Sequence, residues 1–296
     1  MEITALMVKE LREKTGAGIL DCKKALTETN GEMEKAIDWL RERGIAKANK
    51  KSDRIAAEGL TSVYYEGNNA VIYELNSETD FVAKNKLFLE LIDKFDKGLL
   101  NIDFKDESEL LKQKIDGETI ESILINATSV IGEKITLRRV TKVVKTDDET
   151  FASYKHQGGR ISTLVVLNGS EEVGKNIAMH VAAINPQHLS EEDISEEQIA
   201  KERDILTKTS IKENEESPKP KPEAIVLKMV EGRLNKYLKE ICLVHQSYVK
   251  EPNISVMQYL KQNNATVKSY IRLEVGEGIE KEESNFAEEV MSQIKK

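Results

Sequence analysis

The sequence predicts an α+β protein assembled from modules, and three observations carry that reading. Apolar residues recur at helical spacing up to Gly44, period-two alternation opens at Gly59 and again at Phe151, and a proline-rich acidic stretch interrupts the second of these patterns. With 296 residues, 39% hydrophobic and 32% charged, the chain is too long for one compact core yet apolar enough to bury several small ones.

Thr4 is placed to cap a first helix whose Ala5, Val8 and Leu11 share a face, and Thr15-Gly16 stops it. A second helix runs from about Gly18 to Thr29. Asn30-Gly31 then breaks the chain, and Met33, Ala36, Ile37 and Leu40 mark a third helix that ends at Gly44. Ile45 to Asp53 is polar and basic and reads as a linker, which closes a three-helix module over residues 1–53; a nucleic-acid arm is the alternative.

A core subdomain over 54–145 follows. Leu60 to Tyr65 and Ala70 to Leu75 alternate around Glu66-Gly67-Asn68-Asn69, which is a hairpin signal. Leu87, Phe88, Leu91, Ile92 and Phe95 mark one helix, Ile120, Ile123, Leu124, Ala127 and Ile131 another, and Ile135 to Val144 a closing strand. The same grammar recurs over 146–186 and 223–275. Strand Phe151 to His156, turn Gly158-Gly159 and strand Arg160 to Asn168 lead into a helix from Glu171 to Ile184. A helix from Glu223 to Leu243, a short one near Ser255 to Asn263 and a strand from Val267 to Val275 complete that subdomain. A duplicated antiparallel sheet plus helix core is the expectation. Asn185 to Pro222 holds four of the five prolines, and its sparse Leu189, Ile194, Ile199, Ile205, Leu206 and Ile211 cannot build a core of their own. Residues 187–222 therefore read as an inserted helical hairpin, with a disordered loop as the alternative. Ile279, Phe286, Val290 and Ile294 mark a C-terminal helix within 276–296.

Charge and motifs narrow the function. Lys and Arg number 44 against 52 Asp and Glu, and the net charge of −8 disfavours a protein whose main task is gripping phosphate backbones. No apolar run approaches the roughly 18–20 residues that span a bilayer, and Met1 to Thr15 reads as amphipathic helix rather than a targeting signal, so a cytoplasmic protein is expected. Cys22 and Cys242 lack metal or redox spacing and are expected as buried free thiols. No GxxxxGK[ST], GxSxG or HExxH occurs, and Gly16-Ala17-Gly18 lies between helices rather than after a strand. His156, His180, His188 and His245 are scattered, so no bound metal and no cofactor is expected; His180 reads as a packed core histidine.

One segment stands out, Thr79-Asp80-Phe81-Val82-Ala83-Lys84-Asn85, between the first hairpin and the helix after it. Either Thr79 or Asp80 caps that helix while Phe81 staples it to the core, or Phe81 projects outward as an anchor with the Asp80 carboxylate beside it.

These residues carry a resemblance. Lys9-Glu10-Leu11-Arg12, Thr15-Gly16-Ala17-Gly18 and Asp21 to Leu26 near the start, the intact Thr79 to Asn85 loop, and Ile131-Gly132-Glu133, Leu137-Arg138-Arg139, Met179 to Ala183 and Glu231-Gly232-Arg233 further on resemble the bacterial elongation factor Ts family over essentially the whole length. Ile19-Leu20 stand where the family carries two methionines, which keeps apolar volume. The resemblance implies a guanine-nucleotide exchange factor for elongation factor Tu that is not an enzyme, with no direct nucleic-acid or membrane contact. It implies a ubiquitin-associated-like fold for the three-helix module, docking through Arg12, Ile19 and Leu20. Thr79, Asp80, Phe81 and Val82 would disturb the magnesium and nucleotide site of the GTPase, and His156 with Gly158 and Gly159 would brace the complex. In some members the inserted hairpin carries homodimer contacts. A rival reading is an interaction adapter without exchange activity, which accounts for the helical module and leaves the Phe81 loop unexplained. A second, an enzyme using Asp80 and His156 as acid and base, has no substrate-binding motif behind it.

Overall fold

The computed structural model describes residues 3–280, so Phe286, Val290 and Ile294 of the expected C-terminal helix lie outside the described residues. The chain is mixed helix and sheet and divides into two compact units. The first takes residues up to Val143, Gln157–Ile161 and the chain from Leu273; the second takes Val144–His156 and Ser162–Arg272.

The first unit opens with α1 (Ala5–Thr15), α2 (Ile19–Glu28) and α3 (Met33–Asn49). Thr4 Oγ1 accepts the Met7 N–H, and Gly16 ends α1 in the left-handed region at φ 66°. Leu11, Cys22, Ala25, Leu26 and Ala36 form the small core of these helices. The expected stop of α3 at Gly44 is corrected. The helix runs on to Asn49, because Gly44 faces α6 (Ile120–Ile131) and a Cβ there would lie 3.4 Å from Ser129 Oγ. That glycine serves helix packing rather than termination. Half of the expected linker is therefore helix, and its remainder is pinned: Lys51 Nζ donates to the Gly132 carbonyl, and Lys134 Nζ donates to those of Ser52 (2.6 Å) and Arg54 (2.9 Å).

Strands β1 (Glu58–Glu66) and β2 (Asn69–Ser77) form the expected hairpin, in register from Glu58↔Ser77 to Glu66↔Asn69. After α4 (Lys86–Leu100) the chain makes a short helix α5 (Glu107–Lys112) and a two-residue ladder, β3 (Lys114–Ile115) with β4 (Glu118–Thr119). None of these last three was readable, being too short to show a period. Helix α6 and β5 (Thr136–Val144) close the unit, and the sheet order is β1-β2-β5. Tyr73, Phe88, Phe95, Leu99 and Ile120 fill the core under it. Within this sheet the Glu74 carboxylate is wholly buried, and four donors satisfy it: Arg139 Nε at 2.8 Å, Arg138 at 3.3 Å, Asn76 Nδ2 at 2.7 Å and the Gly276 N–H at 2.7 Å. A buried carboxylate is tolerated only with such compensation.

The second unit carries β6 (Thr150–His156), β7 (Ile161–Asn168), α7 (Glu171–Ile184), α8 (Glu196–Glu215), α9 (Glu223–Ile241), β8 (Ser247–Tyr248), β9 (Glu251–Ser255), α10 (Val256–Gln262) and β10 (Thr266–Glu274). Its main sheet runs β10-β7-β6. In both sheets the second strand of the hairpin is central and the last strand of the unit flanks it, which is the expected duplication at the level of topology.

The insertion needs a second correction. Residues 187–222 do not make a hairpin by themselves. They supply one arm, α8, while α9, expected as core, is the other. Pro218, Pro220 and Pro222 occupy the tip between the arms, where helix cannot continue. Arg203 pairs with Glu231 at 3.0 Å and Arg233 with Glu213 at 2.6 Å along the two arms, and Ile194, Leu234, Leu238, Ile241 and Cys242 pack at their base. Cys22 and Cys242 are both buried and free, and burial pushes the Cys242 thiol up to about 11, helped by Glu191 and Asp193. Among the described residues no helix is long and apolar enough to cross a membrane.

Candidate functional site

The eight residues 78–85 between β2 and α4 resolve the two readings of the Phe81 loop. Neither Thr79 nor Asp80 caps α4. Asn85 does, with its Oδ1 accepting the Leu87 N–H at 2.9 Å. The inward staple is Val82, which is buried with Ala83 in the core that holds Phe88 and Phe95. Phe81 is 80% exposed. Its backbone is relaxed (φ −64°, ψ −42°) and heads a single 3₁₀ turn, Val82–Lys84, with the Lys84 N–H on its carbonyl at 3.2 Å. An aromatic left in water beside two buried neighbours forfeits about 1.5–3 kcal/mol of burial, which a partner surface can recover.

Thr79 faces the turn after α6. Its N–H donates to Glu133 Oε2 at 2.9 Å and its hydroxyl to Oε1 at 2.7 Å, while its carbonyl accepts from Ser77 Oγ at 2.9 Å. Asp80 makes an exposed pair with Lys84 at 3.2 Å, leaving its carboxylate at the surface. Of the four loop residues singled out, the structure thus presents Asp80 and Phe81, ties Thr79 down and buries Val82.

Exposed apolar side chains also stand on the N-terminal helices. Arg12 is exposed on α1, and Ile19 and Leu20, which open α2, are 56% and 83% exposed. Leu6 on α1 is 74% exposed, and sequence reasoning missed it. The signal was available, since Leu6 falls off the Val8 and Leu11 stripe. Alongside these helices the Asp21 carboxylate pairs with Lys47 at 2.8 Å.

The Gly158-Gly159 turn has two different glycines. Gly158 is exposed at φ 69° with nothing near it. Gly159 is buried at φ 109°, where a Cβ would come within 2.8 Å of the Thr61 carbonyl, and its own carbonyl accepts from Thr61 Oγ1 at 2.7 Å. His156 is exposed, with Nδ1 3.3 Å from the Tyr154 hydroxyl. By contrast His180 is buried, as its helix face suggested: Nε2 lies 2.9 Å from Gln246 Oε1, and Nδ1 accepts the Val249 N–H at 3.2 Å. Burial holds it below the usual histidine range, and the Gln246 contact opposes that shift. Glu133 is the other residue sequence reasoning left without a role, because 54 positions separate it from Thr79 and no local spacing links them.

Against known families, the model described as elongation factor TS matches residues 78–277 of this chain, from the start of the Phe81 loop through the second unit and its return segment.

Proposed function

The chain belongs to the elongation factor Ts family, whose general role is nucleotide exchange on elongation factor Tu, and on that premise we propose that this protein releases GDP from elongation factor Tu through a multi-point clamp with Phe81 as its working tip. The observation that carries this reading is the 80% exposure of Phe81 on a loop whose neighbours on both sides are tied down. Leu6, Ile19 and Leu20 supply a second apolar surface for capture, with Arg12 on the same pair of helices, and the turn bearing His156 and Gly158 gives a third contact. Gly159 acts in support, letting that turn approach Thr61 closely.

Magnitudes favour a clamp over a lone wedge. Burying one phenylalanine yields about 1.5–3 kcal/mol, too little to expel a tightly held nucleotide unaided. Magnesium ties the nucleotide phosphates to the GTPase in near-octahedral geometry that tolerates little displacement, so pressure on its supporting elements loosens metal and nucleotide together. This chain makes and breaks no bond in that cycle. Exchange is a coupling: whatever the factor does to nucleotide affinity, nucleotide does equally to the affinity of the factor.

The test is to mix the full chain with elongation factor Tu carrying fluorescent GDP and follow release, then to titrate GDP with magnesium into the preformed complex. Accelerated release and dissociation of the complex by GDP are expected. Binding without release, and a complex that GDP never dissociates, would leave the adapter reading instead.

A further inference from the structure

Phe81 sits between two fixed points, and one of them is built by a residue far away in sequence. On its C-terminal side Val82 and Ala83 enter the core. On its N-terminal side the fixed point is Thr79, whose two donors both go to Glu133, at 2.9 Å to Oε2 and 2.7 Å to Oε1. With Ser77 Oγ on its carbonyl at 2.9 Å, all three polar groups of Thr79 are engaged. Hydrogen bonds to a carboxylate are about twice as strong as neutral ones, and two at once fix direction as well as distance.

Glu133 itself stands on a rigid base. Helix α6 ends at Gly132 in the left-handed region at φ 88°, with the Gly132 N–H on the Thr128 carbonyl at 3.0 Å. The buried Thr128 hydroxyl accepts the Ile135 N–H at 3.1 Å, so both sides of the turn hang from one residue, one through its carbonyl and the other through its side chain. The neighbouring pair repeats the clamp: the Lys134 N–H donates to Glu78 Oε1 at 2.7 Å, and Arg54 pairs with Glu78 at 3.0 Å. The remaining tie on the loop, Asp80 with Lys84, is solvent-exposed and holds little.

We propose that Glu133 is the positioning residue of the exchange reaction: it sets the aim of Phe81 by fixing Thr79, and does so without touching the partner. The inference rests on the exchange reading above. A wedge held in its working direction before contact loses less order on binding than one on a free loop, so its contact energy goes into displacement of the partner. Each oxygen of Glu133 is directed at Thr79 within the chain, which is the contact the positioning role uses.

The experiment is a double-mutant cycle in the full chain, with Glu133→Ala, Phe81→Ala and the double variant. Each is read as the maximal rate of fluorescent GDP release from elongation factor Tu at saturating factor, beside its melting temperature. Glu133→Ala is expected to lower the maximal rate about tenfold in the parent and less than about twofold further in the Phe81→Ala background, because the wedge it aims is gone. Glu133→Gln should recover most of the rate, since its amide oxygen can accept the Thr79 N–H while its NH₂ donates to Oγ1. Should Glu133→Ala fail to fold, Thr79→Val against Thr79→Ser asks the same question, with slow release expected only for valine. Losses that add in the double variant, or an unchanged rate in Glu133→Ala, overturn the proposal while leaving the exchange reading intact. A parent chain that releases no GDP overturns the exchange reading itself.

Discussion

Between β2 and α4 the chain spends eight residues, 78–85, while the equivalent connection between β7 and α7 takes two, Gly169 and Ser170. The short one shows how little the topology requires. Gly169 adopts φ 145° where a Cβ would lie 2.8 Å from that of Ala265, and Ser170 Oγ caps α7 by accepting the Val173 N–H at 3.3 Å. The long connection performs the same capping with Asn85 alone. Of its other residues, Val82 and Ala83 pack into the core, while the stretch before them has no counterpart in the short connection and holds Thr79, tied to Glu133, and the outward Phe81. Two copies of one strand-strand-helix grammar thus separate a minimal scaffold from a loop with surplus residues, and the surplus is where the candidate function lodges.

That contrast is sharpest inside the loop, where adjacent residues should fail in opposite ways. Phe81→Ala should slow nucleotide release about 10- to 150-fold, the rate equivalent of about 1.5–3 kcal/mol, with an unchanged melting temperature. Val82→Ala should lower stability by about 2 kcal/mol, seen as an earlier denaturant midpoint, because its side chain belongs to the core. The same phenotype from both would erase the distinction between wedge and staple.

In the second unit tight packing replaces the loop. A Cβ on Gly174 of α7 would lie 2.4 Å from that of Ala152 and 2.7 Å from Leu167 Cδ2, so Gly174→Ala should cost about 1–2 kcal/mol despite the better helix propensity of alanine. A stabilised variant would show that α7 has room to move. The unit also carries its own pH response. His180 is held neutral by burial, with a folded pKa below the ordinary 6.5, so the unfolded chain binds its proton first. Stability from this group is complete above about pH 6.5 and is lost as pH falls below it toward the folded pKa. The melting temperature should decline on acidification, with a shallower slope in His180→Gln. Least affected should be Lys84→Ala. It breaks only the exposed Asp80 pair, and it should shift stability by less than about 0.5 kcal/mol.

Much of the fold was legible because its signals are local. The hairpin register follows from alternation around Gly67-Asn68, and Thr4 and Gly16 delimit α1 by cap chemistry alone. What misled were residues whose local meaning is overridden at a distance. Gly44 looks like a helix stop until Ser129 of α6 packs over it. Helix α9 carries Val226, Val230, Leu234 and Leu238 at core-like spacing, yet much of that stripe faces α8 as a hairpin arm. At the candidate site, the sequence offers Thr79 or Asp80 as the cap, and the residue that caps the helix is Asn85. The cap falls to Asn85 because the turn Val82–Lys84 intervenes and α4 begins only at Lys86, which leaves Thr79 and Asp80 too far upstream. The exposed Leu6, Ile19 and Leu20 were partly visible as apolar residues off the stripe, whereas a carboxylate 54 residues from its partner leaves no local trace.

The central claim is that the Phe81 loop drives release by loosening the magnesium that bridges nucleotide and GTPase. It is tested most directly by measuring fluorescent GDP release from elongation factor Tu with the parent chain and with Phe81→Ala, each with magnesium present and after its chelation. The account predicts a large advantage of the parent with magnesium, and a gap between the two chains that shrinks once the metal is gone. Equal release by both chains in the presence of magnesium would contradict it.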